Sequence, residues 1–242
     1  MTMAKLRSMT ASHSMIVTLL IIILSVGIWV WINHMSTHTI PRGQLKGAII
    51  QYAMAYVEKN GHRDLNLDTV SKELNVSHGA PYRHFKTKND LLSSLALDGF
   101  TDLGDTQAAF IARYPAGSRQ QMVALSEAYV DFLVRRERLY DVMWDFTWTP
   151  EINPETAAAG RRTFILFTST VKAYIDEQGL DPELQDEMQM SIWSLLHGLA
   201  VLSLHKPEIV QPTPERLNHL VRSGMTALLD GYDMQRPNKS LH

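Results

Sequence analysis

The chain has 242 residues, 45% apolar and 20% charged, values of an ordinary globular protein that exclude a disordered or fibrous one. It contains no cysteine, which excludes a disulfide framework or a zinc–thiolate site and suits a reducing cytoplasm. The net charge of −2 hides an asymmetry: residues 40–93 hold eight Lys/Arg against five Asp/Glu, and residues 94–242 hold 13 against 20. A small basic block ahead of a larger acidic body suits a polyanion-binding head on a body with a different task.

Residues 15–32 (MIVTLLIIILSVGIWVWI) form an uncharged apolar run of 18, with Trp29 and Trp31 near one end. That is the minimum length for a transmembrane helix, and tryptophans suit the membrane interface. Lys5 and Arg7 precede the run, but no small-residue cleavage site follows it. Two readings stand. In one, residues 1–40 are a leader that tethers the protein to the inner membrane. In the other, the native start is Met35 and the protein is cytoplasmic. The segment from Met35 (MSTHTIPRGQLKGAII) reads as a polar arm leading into a helix.

Beyond residue 40 the spacing is helical throughout, with no strand alternation. Leu45, Ala48, Ile49, Tyr52, Ala53 and Tyr56 recur at three-to-four spacing, and Gly61 supplies a stop. Asn66 is placed to cap a short helix carrying Leu67, Val70 and Leu74. After a break at Asn75, Ser77 is placed to cap a second short helix over residues 78–85. Thr87 and Asp90 then have the spacing of a capping box opening a long helix. Further helices are predicted over 118–136, 138–147, 155–178, 183–204 and 214–231, separated by proline and glycine breaks. The fold class is therefore all-α, with a three-helix head over 41–100 and a helical-bundle body over 101–242.

Two short helices joined by a tight turn, with a third before them, form the minimal unit that presents one helix to the major groove. His78 and Arg83 suit bases or phosphates, Tyr82, His84 and Lys88 suit flanking phosphates, and Gly79 and Ala80 allow close approach. The stretch LNLDTVSKELNVSHGAPYRHFKTKNDLL resembles the N-terminal domain of the TetR family of transcriptional regulators. Val76-Ser77-x-Gly79, Tyr82-Arg83-His84-Phe85 and Lys88-x-x-Leu91 carry the likeness over about fifty residues. The resemblance implies that Thr69, Ser77, His78, Gly79, Tyr82, Arg83, His84 and Lys88 fall at positions that contact DNA, with Phe85 in the core. Two departures stand out. Pro81 replaces a bulky apolar residue, where within a first turn its missing N–H is tolerated. Asn75 replaces the turn glycine, and Asn is the best other residue at positive φ.

In the body, Trp193-x-x-x-His197-Gly198 resembles the Trp/His/Gly-bearing C-terminal domain of a subset of that family. Trp193 and His197 share a helix face, either as a ligand or dimer contact or as a core pair. Tyr140, Met143, Trp144, Phe146 and Trp148 face Phe164 and Phe167, a stripe that is core or the wall of an apolar pocket. The resemblance implies a homodimer, a small-molecule effector in the body, and a double-stranded operator. It places the dimer face on the last two long helices, with Met188, Ile192, Leu195, Leu196, Leu199, Leu217, Leu220 and Leu228 as candidates. The sequence shows no nucleophile elbow, phosphate loop, paired carboxylates or metal-spaced histidines in the body, so no enzyme, metal or cofactor is expected.

Overall fold

The computed structural model describes residues 40–41, 43–147 and 153–236, and among them every regular element is helical. The apolar run 15–32 lies outside the described residues. No described helix is long and apolar enough to cross a membrane.

The head contains α1 (Leu45–Asn60) and α2 (Leu67–Glu73), followed by a short 3₁₀ turn (Pro81–Arg83). α1 buries Ile49, Ala53 and Val57, one stripe at helical spacing, and ends at Gly61, whose φ of 77° few other residues adopt. Asn66 caps α2 by accepting the Thr69 N–H at 2.8 Å. Asn75 makes the turn at φ 51°, as expected of the glycine substitute.

The expected helix over 78–85 is not formed. Residues 78–80 are a turn, and only Pro81–Arg83 continue it, as 3₁₀. Pro81 has no N–H to reach the Ser77 carbonyl, so that carbonyl takes the Ala80 N–H instead, in a tighter i→i+3 bond of 2.8 Å. Ser77 caps through this carbonyl and not through its side chain. The Pro81 ring is itself buried. Its backbone stays right-handed, with Ala80 and His84 both in the αR region.

The body contains α3 (Lys88–Ile111), α4 (Arg119–Arg135), α5 (Glu137–Thr147), α6 (Pro154–Gln178), α7 (Gln185–His205), the short α8 (Pro207–Val210) and α9 (Pro214–Asp233). Thr87 and Asp90 form the reciprocal capping box at the start of α3. α6 and α9 each begin with proline behind a capping Asn153 or Thr213. α3 runs unbroken past residue 100, so the boundary expected there falls inside a helix. It packs along α5 and α6, while α1 packs on α5 and α9 packs on α4 and α7.

Two apolar clusters hold this arrangement. The first joins Ile49, Val57, Val70 and Phe85 of the head to Leu91 of α3 and to Leu133, Leu139, Met143 and Ala200 of the body. The second, wholly in the body, gathers Met122, Val171, Tyr174, Ile192, Val221, Met225 and Leu229. Each large side chain so enclosed stabilises the fold by about 1.5–3 kcal/mol relative to exposure.

Candidate nucleic-acid interface and enclosed cavity

The turn after α2 exposes a compact group of basic and hydroxyl side chains. Ser77, His78, Gly79, Tyr82, Arg83 and His84 are all exposed on it, with Thr69 of α2 and Lys88 of α3 half-buried beside them. The buried Ser71 hydroxyl shares its one proton between the Leu67 carbonyl at 2.9 Å and the His78 carbonyl at 3.3 Å, which ties the turn to α2. A Cβ at Gly79 would meet nothing within 4 Å, so another backbone can approach there.

Asp68 organises the near side of this surface. Its Oδ1 accepts the Tyr82 hydroxyl at 2.8 Å and lies 2.9 Å from His78 Nε2, and the His78 and Tyr82 rings stack with centroids 5.6 Å apart. The hydrogen bond to Asp68 raises the Tyr82 pKa, so the phenol stays a donor at neutral pH. Arg83 and His84 have no side-chain partner among the described residues. Lys88 spends its ammonium on the Arg63 carbonyl. Ala80, read from the sequence as part of the contact surface, is only 8% exposed and packs inward.

The body encloses a cavity of about 430 Å³ between α3, α4, α5, α6 and α7. Trp144, Phe164, Phe167 and Trp193 line it, as the aromatic stripe suggested. Tyr140, Met143 and His197 do not. Met143 is fully buried against Gly99 of α3, where a Cβ would come within 2.6 Å of its sulfur. His197 and Tyr140 stand behind the cavity wall in a hydrogen-bonded chain. Trp193 Nε1–H donates to the Tyr129 hydroxyl at 3.4 Å. That hydroxyl lies 3.2 Å from His197 Nδ1, and His197 Nε2 lies 3.3 Å from the Tyr140 hydroxyl. A neutral imidazole protonated at Nε2 satisfies every link. Burial lowers the His197 pKa, which favours this neutral form, and burial also raises the Tyr140 hydroxyl to about 12. The Trp144 ring stacks on His197 at 4.5 Å. Trp148 lies outside the described residues.

Sequence reading missed much of the cavity, including Phe100, Leu103 and Gln107 of α3 and Gly160 and Arg161 of α6. Phe100, Leu103 and Gln107 do recur at three-to-four spacing on one helix face, a usable signal.

Family models and relatives agree with this geometry. Residues 49–95 match the model described as bacterial regulatory proteins of the tetR family, and residues 122–228 match the tetracyclin repressor-like C-terminal domain. The chain belongs to the TetR family. Among relatives, it is 24% identical over 188 residues to the uncharacterized HTH-type transcriptional regulator YobS of Bacillus subtilis, covering 77% of this chain and 94% of that one. A solved Rhodococcus sp. RHA1 protein of unknown function superposes with a TM-score of 0.71 at 23% identity, over 79% of this chain and 97% of that one. A TetR-family regulatory protein from Rhodococcus RHA1 gives 0.57 at 20% identity, over 76% and 97%.

This TetR-family protein is a DNA-binding transcriptional regulator and not an enzyme. Its last two long helices turn part of the expected dimer face into the chain's own core. Met188, Ile192, Leu196 and Leu217 are all buried inside the chain, so they are not free to meet a second copy. Leu195, Leu199, Leu220 and Leu228 are half-buried against the same cluster. The outer face instead carries Ser194 and Leu202 of α7 and His219, Ser223, Ala227 and Gly231 of α9. A Cβ at Gly198 or Gly231 would meet nothing within 4 Å.

Proposed function

We propose that this regulator is a homodimeric, ligand-responsive repressor that works in the cytoplasm, binding a near-palindromic double-stranded operator without a cofactor. The observation that carries the reading is the position of the cavity. Its wall includes Trp144 of α5, and α5 packs directly on α1 and α3, the helices that hold the DNA-binding turn. An effector that displaced Trp144 would bias the placement of the head, and so the separation of two recognition turns that must meet grooves roughly 34–36 Å apart. The outer face of α7 and α9, small at Gly198 and Gly231, supports pairing of two copies there, with Leu195, Leu199, Leu220 and Leu228 at its edges. Thr69, Ser77, His78, Gly79, Tyr82, Arg83, His84 and Lys88 are the proposed DNA contacts.

A gel shift of the full chain with the DNA upstream of its own gene tests the head. Replacing Arg83 and His84 together by Ala is expected to weaken specific binding by at least about tenfold while leaving helicity unchanged. Unchanged affinity would remove the turn from the interface.

A further inference from the structure

We propose that the body cavity receives a planar one- or two-ring aromatic acid that carries a hydroxyl at the end away from its carboxylate. The proposal rests on the reading of this cavity as the effector site and names the chemistry that fills it.

Rings come first. Phe100, Tyr129, Trp144, Phe164, Phe167 and Trp193 reach the cavity from five different helices, so aromatic rings contribute to its wall from every helix that lines it. Ring against ring gains more than the area alone, an advantage that a flexible acyl chain lacks. Phe164 lines the cavity yet is 52% exposed, an apolar ring waiting to be covered. A volume of about 430 Å³ sits toward the small end of ligand sites, which span roughly 300–1,000 Å³, and suits one or two fused rings.

Charge comes second. An aromatic cage by itself would also suit a cation. Yet among the described residues no carboxylate lines this one, and the one charged residue there is Arg161. That guanidinium is exposed and has no partner among the described residues, whereas its neighbour Arg162 is already paired with Asp105 at 2.8 Å. An unpaired guanidinium at the cavity edge offers a forked, charge-assisted grip on a carboxylate and repels a cation.

Depth comes third. Gln107 is 3% exposed, and its Oε1 is fully enclosed with no hydrogen-bond partner. Such an acceptor is costly to leave empty, and the terminal torsion of a glutamine is soft enough to swing it toward a donor. A hydroxyl on the ligand supplies that donor. The two polar groups also lie at different levels. Ser93 bonds to Thr156, Gly160 faces Phe100, and Gly104 faces Thr163, so α3 and α6 run in the same direction. Gln107 therefore sits beyond Arg161 by on the order of 8 Å along the helix axes, at 1.5 Å per residue. A fused two-ring acid with its hydroxyl opposite the carboxylate spans that gap.

Calorimetric titration of the full chain decides it, using 6-hydroxy-2-naphthoate as probe. Three comparison probes each change one feature: 2-naphthoate lacks the hydroxyl, 10-hydroxydecanoate lacks the rings, and 2-naphthylmethylammonium reverses the charge. The hydroxynaphthoate is expected to bind at least about tenfold more tightly than the aliphatic and cationic probes. Arg161→Gln should cut its affinity by about tenfold but leave 2-naphthol unaffected, and Gln107→Leu should erase its advantage over 2-naphthoate. Gly160→Leu, or Ala157→Leu should the first variant not fold, fills the cavity and should abolish binding. Tighter binding of the aliphatic or cationic probe, no binding of the hydroxynaphthoate, or indifference to Arg161→Gln would each overturn the proposal. Operator affinity measured with saturating probe separates the two readings. Tight, Arg161-dependent binding that leaves operator affinity unchanged would sink the effector role and keep the ligand class. Release of DNA by the aliphatic probe alone would do the reverse.

Discussion

His197 has both ring nitrogens facing tyrosine hydroxyls and a tryptophan ring stacked on its face. Protonation would turn Nδ1 from acceptor to donor against a Tyr129 hydroxyl already bonded to Trp193, and it would place a charge in a buried setting. The folded-state pKa lies below the ordinary 6.5, so the unfolded chain takes up this proton first. Its stabilising contribution is therefore fully present above pH 6.5 and declines as the pH falls from there toward the folded-state pKa. Chemical denaturation between pH 5 and 8 should show the wild type losing stability on the acid side more steeply than His197→Gln. Parallel curves would refute the role. Gly117 is a second residue-scale constraint. Its φ is 69°, and a Cβ there would lie 2.3 Å from the Ala173 carbonyl oxygen, which as backbone has no room to move. The φ penalty and the overlap together predict a loss of about 2–4 kcal/mol for Gly117→Ala, read from the denaturant midpoint by circular dichroism. A loss below about 0.5 kcal/mol, the size of an ordinary surface change, would contradict it.

At the scale of the element, what was legible in the sequence was what depends on near neighbours. The caps at Asn66 and Thr87 and the positive φ at Asn75 require only residues within a few positions, and each is found. The inward faces of α7 and α9 were not legible, because α7 is apolar on more than one face. Met188, Ile192 and Leu196 turn in, yet Met190 and Leu202 of the same helix stay out at 58% and 48% exposure. Periodicity says that such a helix is amphipathic or buried, not which stripe meets its own body. Gln107 shares a helix face with Phe100 and Leu103, yet that spacing marks only the face and not the burial of a polar side chain, which comes from packing between helices. The recognition element was misjudged through a balance of similar energies. Pro81 costs it the bond to Ser77, and the buried ring holds the shortened turn in place. Pro81→Leu restores the N–H and the bulk usual at this position. It should extend regular α-helix across residues 78–85, seen in backbone chemical shifts, and change which bases the turn prefers in a binding-site selection. An unchanged 3₁₀ turn would mean that the flanking contacts, not the proline, set its pitch.

The whole molecule behaves as one packed unit in which head and body share a core. Ile49 and Val57 of α1 lie in the same cluster as Leu139 and Met143 of α5, and α3 passes unbroken from one part to the other. Arg136, at the start of this junction, binds Glu58 of α1 at 2.7 Å and reaches Asp102 of α3 at 3.7 Å. Arg136 and Glu58 are about one-third exposed and Asp102 more than half, so both pairs orient more than they stabilise. A head tethered by a loop would open independently of the body, and events in the cavity would reach it only weakly. A head whose apolar face is completed by α5 has to open with it. The expected result is one cooperative transition, with Trp144 and Trp193 emission from the body and amide-exchange protection of α1 and α2 lost at the same denaturant concentration. Loss of α1 and α2 protection at a clearly lower concentration would show a separately unfolding head. A change confined to the cavity would then have no rigid route to the DNA-binding turn, and the dependence of operator affinity on ligand would have to come from the pairing of two copies instead.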